Sequence, residues 1–251
     1  MKLRNVKFVL VALLITVAFG SSAYAKGKTR SGAFNTSRGN SGTFQQNVAR
    51  QKGSVEKNTT WQNQRGEQGS HNVARNWDKK TGTGTYATST TGAKGKTFSR
   101  EGTLTKTENG LTQQGTITRA NGNEIQVNRT AVKNPDGTYS TQATYTGENG
   151  KTLTTNGSVT KTENGRTVTG SYSTSGGKSG TFQSGVEHTA DGTTVNRSVT
   201  NQDGKTATQD VTRTHKDGTL TRTATHTGFK GKTGSNTETM TVNPPSSGKT
   251  L

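Results

Sequence analysis

Along most of the chain, polar positions alternate with positions that hold an apolar or basic side chain. In one such run, every second position is Ile125, Val127, Arg129 and Ala131, and in another, threonine takes every second position from 219 to 227. A period of two residues is typical of β-strands that have two different faces. No helical periodicity follows the first 25 residues. The sequence therefore predicts an all-β chain whose strands carry an apolar and basic face opposite a threonine-rich face.

Glycine-containing turns separate these runs at regular intervals. The segment from Gly102 to Gly115 returns 55 residues later, from Gly157 to Gly170, with nine of fourteen positions identical. Two turn classes interleave along the chain, one at Gly95, Gly122, Gly150, Gly177, Gly204 and Gly231, the other at Gly110, Gly137, Gly165, Gly192 and Gly218. A turn every 12 to 15 residues predicts an antiparallel meander of hairpin repeats about 27 residues long.

A flat single sheet of this composition is not expected to be stable. Each buried aliphatic side chain contributes about 1.5 to 3 kcal/mol, whereas ordering each residue costs about 1 to 2 kcal/mol of backbone entropy. The thin apolar face must therefore meet another surface, in a barrel or flattened sandwich, a solenoid or a stack of copies. The sequence leaves these alternatives open. Thr-rich strands supply neither the outward apolar band nor the aromatic girdles of a membrane barrel, so no stable membrane insertion is expected.

The first 25 residues have the pattern of a secretory signal peptide. Basic residues precede an apolar run from Phe8 to Phe19, and the small-residue site at 23–25 follows. We expect cleavage after Ala25 and a secreted or periplasmic protein. Three basic residues leave with this segment, so the net charge falls from +18 to +15.

The mature chain divides into three predicted regions. Residues 26–90 form a segment rich in Gly, Ser, Asn and Gln, residues 91–242 hold the regular hairpin repeats, and residues 243–251 form a tail. A flexible linker is one interpretation of the first region. The other is a set of degenerate early repeats, because Asn-Val-Ala-Arg occurs at 47–50 and again at 72–75, and Gly53, Gly69 and Gly82 continue the turn spacing.

Composition by itself is typical of a disordered chain. Leu, Ile, Val and Phe make up about 11% of the mature residues, and the net charge is high. The regular turns and the abundance of β-branched threonine favour strands instead. The chain has no cysteine, which excludes disulfides and thiolate metal sites.

The basic residues recur within the strands and are not concentrated in one tail. In register, they would form rows suited to polyanions such as DNA, lipopolysaccharide or acidic polysaccharide. The alternative is that they block edge pairing and keep the chain in solution. The candidate polyanion-binding residues are Arg100, Lys106, Arg129, Lys161, Arg197, Arg213 and Arg222.

Nothing in the sequence predicts an enzyme, a cofactor or a metal site. The Gly-Lys-Thr and Gly-Lys-Ser triplets lack the glycine that a phosphate-binding loop requires five residues earlier. The four histidines have no metal-ligand spacing, and most Asp and Glu residues occupy turns.

These observations predict an exported, non-enzymatic structural or cell-surface protein that binds polyanions. Two alternatives remain. Thr219–Thr227 resembles the ice-binding faces of β-solenoid antifreeze proteins, which implies threonine ladders on regularly spaced strands. The Gly, Asn, Gln and Thr-rich repeats resemble curli-type amyloid subunits, which implies self-association into fibres through the open edges of a meander.

Overall fold

The computed structural model describes residues 27–37 and 39–242, and its regular elements there are all β-strands. The predicted signal peptide and the tail from 243 onward lie outside the described residues. In the described part of the chain, no helix is long and apolar enough to span a membrane. The strands are β1 (Lys28–Thr36), β2 (Ser41–Gln51), β3 (Ser54–Asn63), β4 (Gln68–Asp78), β5 (Thr83–Thr91), β6 (Thr97–Thr107), β7 (Gly110–Thr118), β8 (Glu124–Lys133), β9 (Tyr139–Gly147), β10 (Thr152–Thr162), β11 (Gly165–Thr174), β12 (Ser179–Thr189), β13 (Gly192–Asn201), β14 (Thr206–Lys216), β15 (Thr219–Thr227) and β16 (Thr233–Val242).

Each strand pairs antiparallel with the next, and the first strand pairs with the last. This closing seam joins Gly32–Thr36 of β1 to Glu238–Val242 of β16, so the meander becomes a closed barrel. The predicted antiparallel meander of hairpin repeats is confirmed. Of the arrangements that the sequence left open, the structure has the barrel.

Cross-strand register divides the strand residues into two faces. Residues directly opposite each other share a face, and this relation can be followed from strand to strand around the barrel. The buried apolar residues all lie on one face, which we call the inner face: Phe44, Val127, Ala143, Val199 and Val211. The outer face is dominated by threonine, with serine, asparagine and glutamine, and its largest apolar side chain is that of Val132.

The connecting loops form two rims. The loops that follow β1, β3, β5 and every further odd-numbered strand form the first rim, and those that follow the even-numbered strands form the second. Both ends of the described chain also lie at the second rim, because β1 starts there and β16 ends there.

The predicted turns are largely where the spacing puts them, with two corrections. The six glycines of the first turn class all have φ between 66° and 87° in loops of the first rim. In the second class, Gly137 and Gly218 have positive φ, whereas Gly110, Gly165 and Gly192 are not turn residues but the first residues of β7, β11 and β13. A Cβ at each of these three would clash with a carbonyl oxygen of the next strand, as at Gly110 with Ala131 on β8. Gly69 lies within β4, and the neighbouring turn is formed by Gly66, with φ 78°.

Aromatic rings on the inner face lie over glycines of neighbouring strands. A Cβ at Gly69 would clash with the indole of Trp61, which explains why glycine occupies a position inside β4. The rings therefore lie flat against the inner surface of the sheet and cover the backbone of the glycines. Further pairs of the same kind are Phe34 with Gly42, Phe44 with Gly32, Trp77 with Gly84, Tyr172 with Gly180, and Phe182 with Gly157 and Gly170.

Candidate anion-binding interior

The seven predicted polyanion-binding residues all lie on the inner face. Arg100 is opposite Ile117, Arg129 is opposite Ala143, and Lys161 is opposite Arg166. The same strand parity places Lys106 on the inner face of β6 and Arg197, Arg213 and Arg222 on the inner faces of β13, β14 and β15. The basic rows that the sequence predicts therefore face the barrel interior and not the outside.

Six of these seven residues fall into three groups, whereas Lys106 lies apart from them, opposite Leu111. Arg213 and Arg222 are directly opposite each other, and their charges act on Arg197. Arg100 is influenced by the charges of Arg129 and Arg75. In the third group, Lys161 is paired with Arg166, and the ammonium group of Lys161 lies 5.8 Å from the centre of the Tyr139 ring.

Sequence reasoning missed seven further basic residues of the inner face. These residues could have been identified from the two-residue alternation, because each occupies the same alternating position as the apolar residues of its strand. They are Lys28, Arg30, Arg50, Lys57, Arg75, Lys133 and Arg166.

Charge is sharply divided between the two faces of the described strands. The inner face carries 14 Lys and Arg residues and one acidic residue, Glu238. The outer face carries one Lys, Lys216, and six acidic residues, namely Glu56, Asp78, Glu101, Glu124, Glu187 and Asp210. The interior wall is therefore strongly cationic, whereas the outer wall is weakly acidic.

The one acidic residue of the inner face is already paired. Arg222 Nη1 lies 3.3 Å from Glu238 Oε2, and Asn236 Nδ2 donates a hydrogen bond to Glu238 Oε1 at 3.0 Å. This pair neutralises one of the 14 basic residues. No other acidic side chain projects from the inner face of the described strands.

Several interior guanidinium groups are partly desolvated. Burial lowers the pKa of Arg100, Arg166 and Arg197; at Arg197 the charges of Arg213 and Arg222 lower it further. The Nε atoms of these three arginines are buried and have no hydrogen-bond partner among the described residues. Arg197 Nη1 donates to Gln209 Oε1 at 3.1 Å. Buried donors without partners carry a free-energy cost that an anionic ligand would remove.

A cavity of about 2030 Å³ lies inside the barrel, against β4 and β6 to β12. Its volume exceeds the roughly 300 to 1,000 Å³ of a typical small-molecule pocket, which is consistent with the wide interior of a sixteen-stranded barrel. Basic and apolar side chains both line it, among them Arg100, Arg129, Lys161, Arg166, Phe98, Ile117, Ile125, Leu153, Val168 and Phe182.

The two rims differ in charge. Described residues of the first rim include nine Lys and Arg and three acidic residues, whereas the loops of the second rim carry three Lys and five acidic residues. The loops of the first rim are therefore basic, and the loops of the second rim are slightly acidic. Among the described residues, no group of three or more His, Asp and Glu side chains is positioned to hold a metal ion.

No protein-family model, curated protein or solved structure matches the chain.

Proposed function

We propose that this is an exported, non-enzymatic protein of the cell surface or extracellular matrix that binds anionic molecules through the interior of its barrel. The candidate ligands are single-stranded DNA, lipopolysaccharide and acidic polysaccharide. One observation carries the proposal: the inner face of the described strands holds 14 basic residues and one acidic residue.

This arrangement is unfavourable for an empty barrel in two ways. Like charges on neighbouring strands repel each other, as they do where Arg213 lies opposite Arg222. Partial burial also removes hydration from the guanidinium groups of Arg100 and Arg197. A bound anion relieves both costs, and a concave cationic surface concentrates anions from solution.

A structural alternative requires the basic residues to protect sheet edges or to keep the protein in solution. Neither role needs them inside the barrel, where β1 and β16 close the sheet and leave the outer threonine face to contact water. The polar outer face also supports our proposal that the barrel is not inserted in a membrane, since a lipid-facing wall is apolar.

The experiment compares two variants that lose the same charge. The interior variant combines Arg129→Gln, Lys161→Gln and Arg166→Gln, and the rim variant combines Lys94→Gln, Lys96→Gln and Lys230→Gln. Binding of a single-stranded oligonucleotide, lipopolysaccharide and an acidic polysaccharide is measured at low salt. We expect the interior variant to bind at least one of these ligands tenfold more weakly and the rim variant to change affinity by less than threefold. The reverse pattern would place binding on the outside and contradict the proposal.

Ice binding is a second candidate, and the register of the outer face favours it. Thr221 of β15 lies between Thr214 of β14 and Thr239 of β16. The hydroxyl groups of Thr223 and Thr237, in the adjacent row, are 3.3 Å apart. These rows are the threonine ladders that the resemblance to antifreeze proteins implies. A thermal-hysteresis measurement tests the candidate, and absence of both hysteresis and ice-crystal shaping would eliminate it.

A further inference from the structure

Along the barrel axis, the strand residues that line the cavity divide into a mainly apolar half toward the first rim and a mainly cationic half toward the second. The loop residues Arg119, Lys151 and Lys178 add charge at the first rim. On β10, Leu153 is the second residue from the first rim and Lys161 is the second residue from the second rim. On β6, Phe98 and Lys106 have the same two positions. All four line the cavity.

Other strands of the cavity repeat this order. Ile125 is the second residue of β8 at the first rim, and Ile117 on β7 lies directly opposite it. At the other end of the cavity, Arg166 is the second residue of β11 from the second rim and pairs with Lys161. Not every side chain follows this order. Arg100 lies deeper, opposite Ile117, with a buried Nε atom. Two apolar lining residues, Leu111 of β7 and Trp77 of β4, are each the second residue from the second rim.

A polymer with charge along its whole length would leave the apolar half of this cavity without a complementary partner. An uncharged hydrocarbon would leave the cationic half unpaired. A molecule with an apolar chain and an acidic headgroup satisfies both halves, with its chain toward the first rim and its headgroup toward Lys161 and Arg166. The distance along β10 from Leu153 to Lys161 is roughly 26 Å at about 3.3 Å per residue, which is long enough for an extended acyl chain.

We propose that the cavity binds an anionic amphiphile with a long acyl chain and a carboxylate or phosphate headgroup. The proposal rests on the proposed function and narrows it, because lipopolysaccharide has acyl chains and acidic groups, whereas DNA and acidic polysaccharides have no acyl chain. The headgroup binds Lys161 and Arg166 by charge-assisted hydrogen bonds. The chain packs against Phe98, Ile117, Ile125 and Leu153.

The first test uses cis-parinaric acid, a fluorescent long-chain carboxylic acid, and its uncharged methyl ester. We expect the purified protein to bind the acid at least tenfold more tightly than the ester. In the double variant Lys161→Gln with Arg166→Gln, affinity for the acid should fall at least tenfold while affinity for the ester stays within threefold. The rim variant Lys94→Gln with Lys96→Gln is the charge-matched control and should bind both probes as the wild type does.

Competition by palmitate and by lysophosphatidate distinguishes a carboxylate from a phosphate headgroup. Equal affinity for the acid and the ester, unaffected by the Lys161 and Arg166 replacements, would overturn the assignment of the headgroup and with it the inference. If neither probe binds while a single-stranded oligonucleotide still binds through the interior, the inference is wrong and the proposed function stands. If no anionic ligand of any class binds, both are wrong. Circular dichroism of each variant establishes that a loss of binding does not reflect loss of fold.

Discussion

Gly102 and Gly115 face each other across β6 and β7, and the hydroxyl group of Tyr86 on β5 lies over both. A Cβ at Gly102 would lie 2.7 Å from that hydroxyl oxygen, and a Cβ at Gly115 would clash with it and with the carbonyl oxygen of Glu101. These glycines are the first and last residues of the fourteen-residue sequence repeat. In the second copy, Gly157 pairs with Gly170 under the ring of Phe182. Each copy of the repeat is thus one hairpin whose first and last residues are a pair of facing glycines, and this pair makes room for an aromatic side chain.

Replacing Gly115 by alanine is expected to destabilise the barrel. The added methyl group meets backbone on one side and Tyr86 on the other, and overpacking of this kind costs about 1 to 3 kcal/mol. Gly185→Ala in β12 is the matched control, because no atom lies within 4 Å of its Cβ position. We expect Gly185→Ala to leave the free energy of unfolding unchanged or to raise it by up to about 1 kcal/mol. Urea denaturation followed by circular dichroism measures the free energy of unfolding of both variants. An equal loss of stability in the two would contradict the requirement for glycine beneath Tyr86.

The local features of this fold could be predicted from the sequence, whereas its closure could not. Turn spacing and the two-residue alternation depend on neighbouring residues, so they identify strands and hairpins directly. The seam between β1 and β16 instead pairs residues such as Phe34 and Met240, about two hundred positions apart. No turn signal marks a contact of that kind.

Half of the basic residues of the inner face were predicted from the sequence, but their orientation toward an enclosed interior was not. The alternation already placed Arg129 and Arg197 on the same face as Val127 and Val199. This face lies inside the molecule because the sheet closes into a barrel, which the alternation alone does not predict. The division of charge could have been found by strand parity, since acidic residues such as Glu101 occupy the opposite face. The prediction of a turn at Gly69 was wrong because the sequence alone does not distinguish a glycine required by a turn from a glycine that makes room for a ring, here that of Trp61.

The stability of the barrel should depend on the ionisation of His71. Burial, and then the charge of Lys57 on β3, lower the pKa of His71 below its usual 6.5, and its Nδ1 atom lies 2.8 Å from Thr90 Oγ1. Well above pH 6.5, the imidazole is neutral in both the folded and the unfolded chain and contributes no pH dependence. As pH falls below 6.5, the unfolded chain takes up a proton that the folded barrel resists. Stability therefore decreases until the pH is below the lowered pKa of the folded state.

We expect the wild type to lose more stability than His71→Gln between pH 7 and pH 5. Urea midpoints measured at several pH values compare the two proteins, and His188→Gln is a control at a second histidine of the inner face. Parallel pH profiles for wild type and His71→Gln would show that His71 makes no contribution.

Binding of single-stranded DNA should depend steeply on salt. Basic residues on successive strands lie about 4.8 Å apart, so several can contact phosphates at once. If about five phosphates are engaged, a fourfold increase in salt weakens binding roughly 100-fold, from a log-log slope of about 0.7 per phosphate. Replacing Arg197, Arg213 and Arg222 together by glutamine should flatten this slope. Lys205, Lys230 and Lys232 in the loops of the first rim provide the control triple, which should leave the slope within experimental error of the wild type.

Closure of the sheet between β1 and β16 opposes the edge-to-edge fibre assembly that the sequence offers as an alternative. Pairing of these strands removes the open edges that a meander otherwise presents, so edge-to-edge assembly requires the seam to separate. Ala33 and Thr241 are direct partners across it, and partners in antiparallel strands have Cα atoms about 4.5 to 5.5 Å apart, within the range that a disulfide spans. Because the chain has no other cysteine, Ala33→Cys with Thr241→Cys would lock this seam alone.

We expect the oxidised double variant to remain monomeric under mildly destabilising conditions in which the reduced variant or a chain lacking β1 self-associates. Deletion of β1 exposes the edges of β2 and β16, whose Asn, Gln and Thr side chains favour stacking. Light scattering and electron microscopy at moderate salt follow the assembly. Fibre formation by the locked protein at the rate of the reduced protein would show that assembly proceeds through another surface, and the threonine rows of the outer face would then be the surface to test.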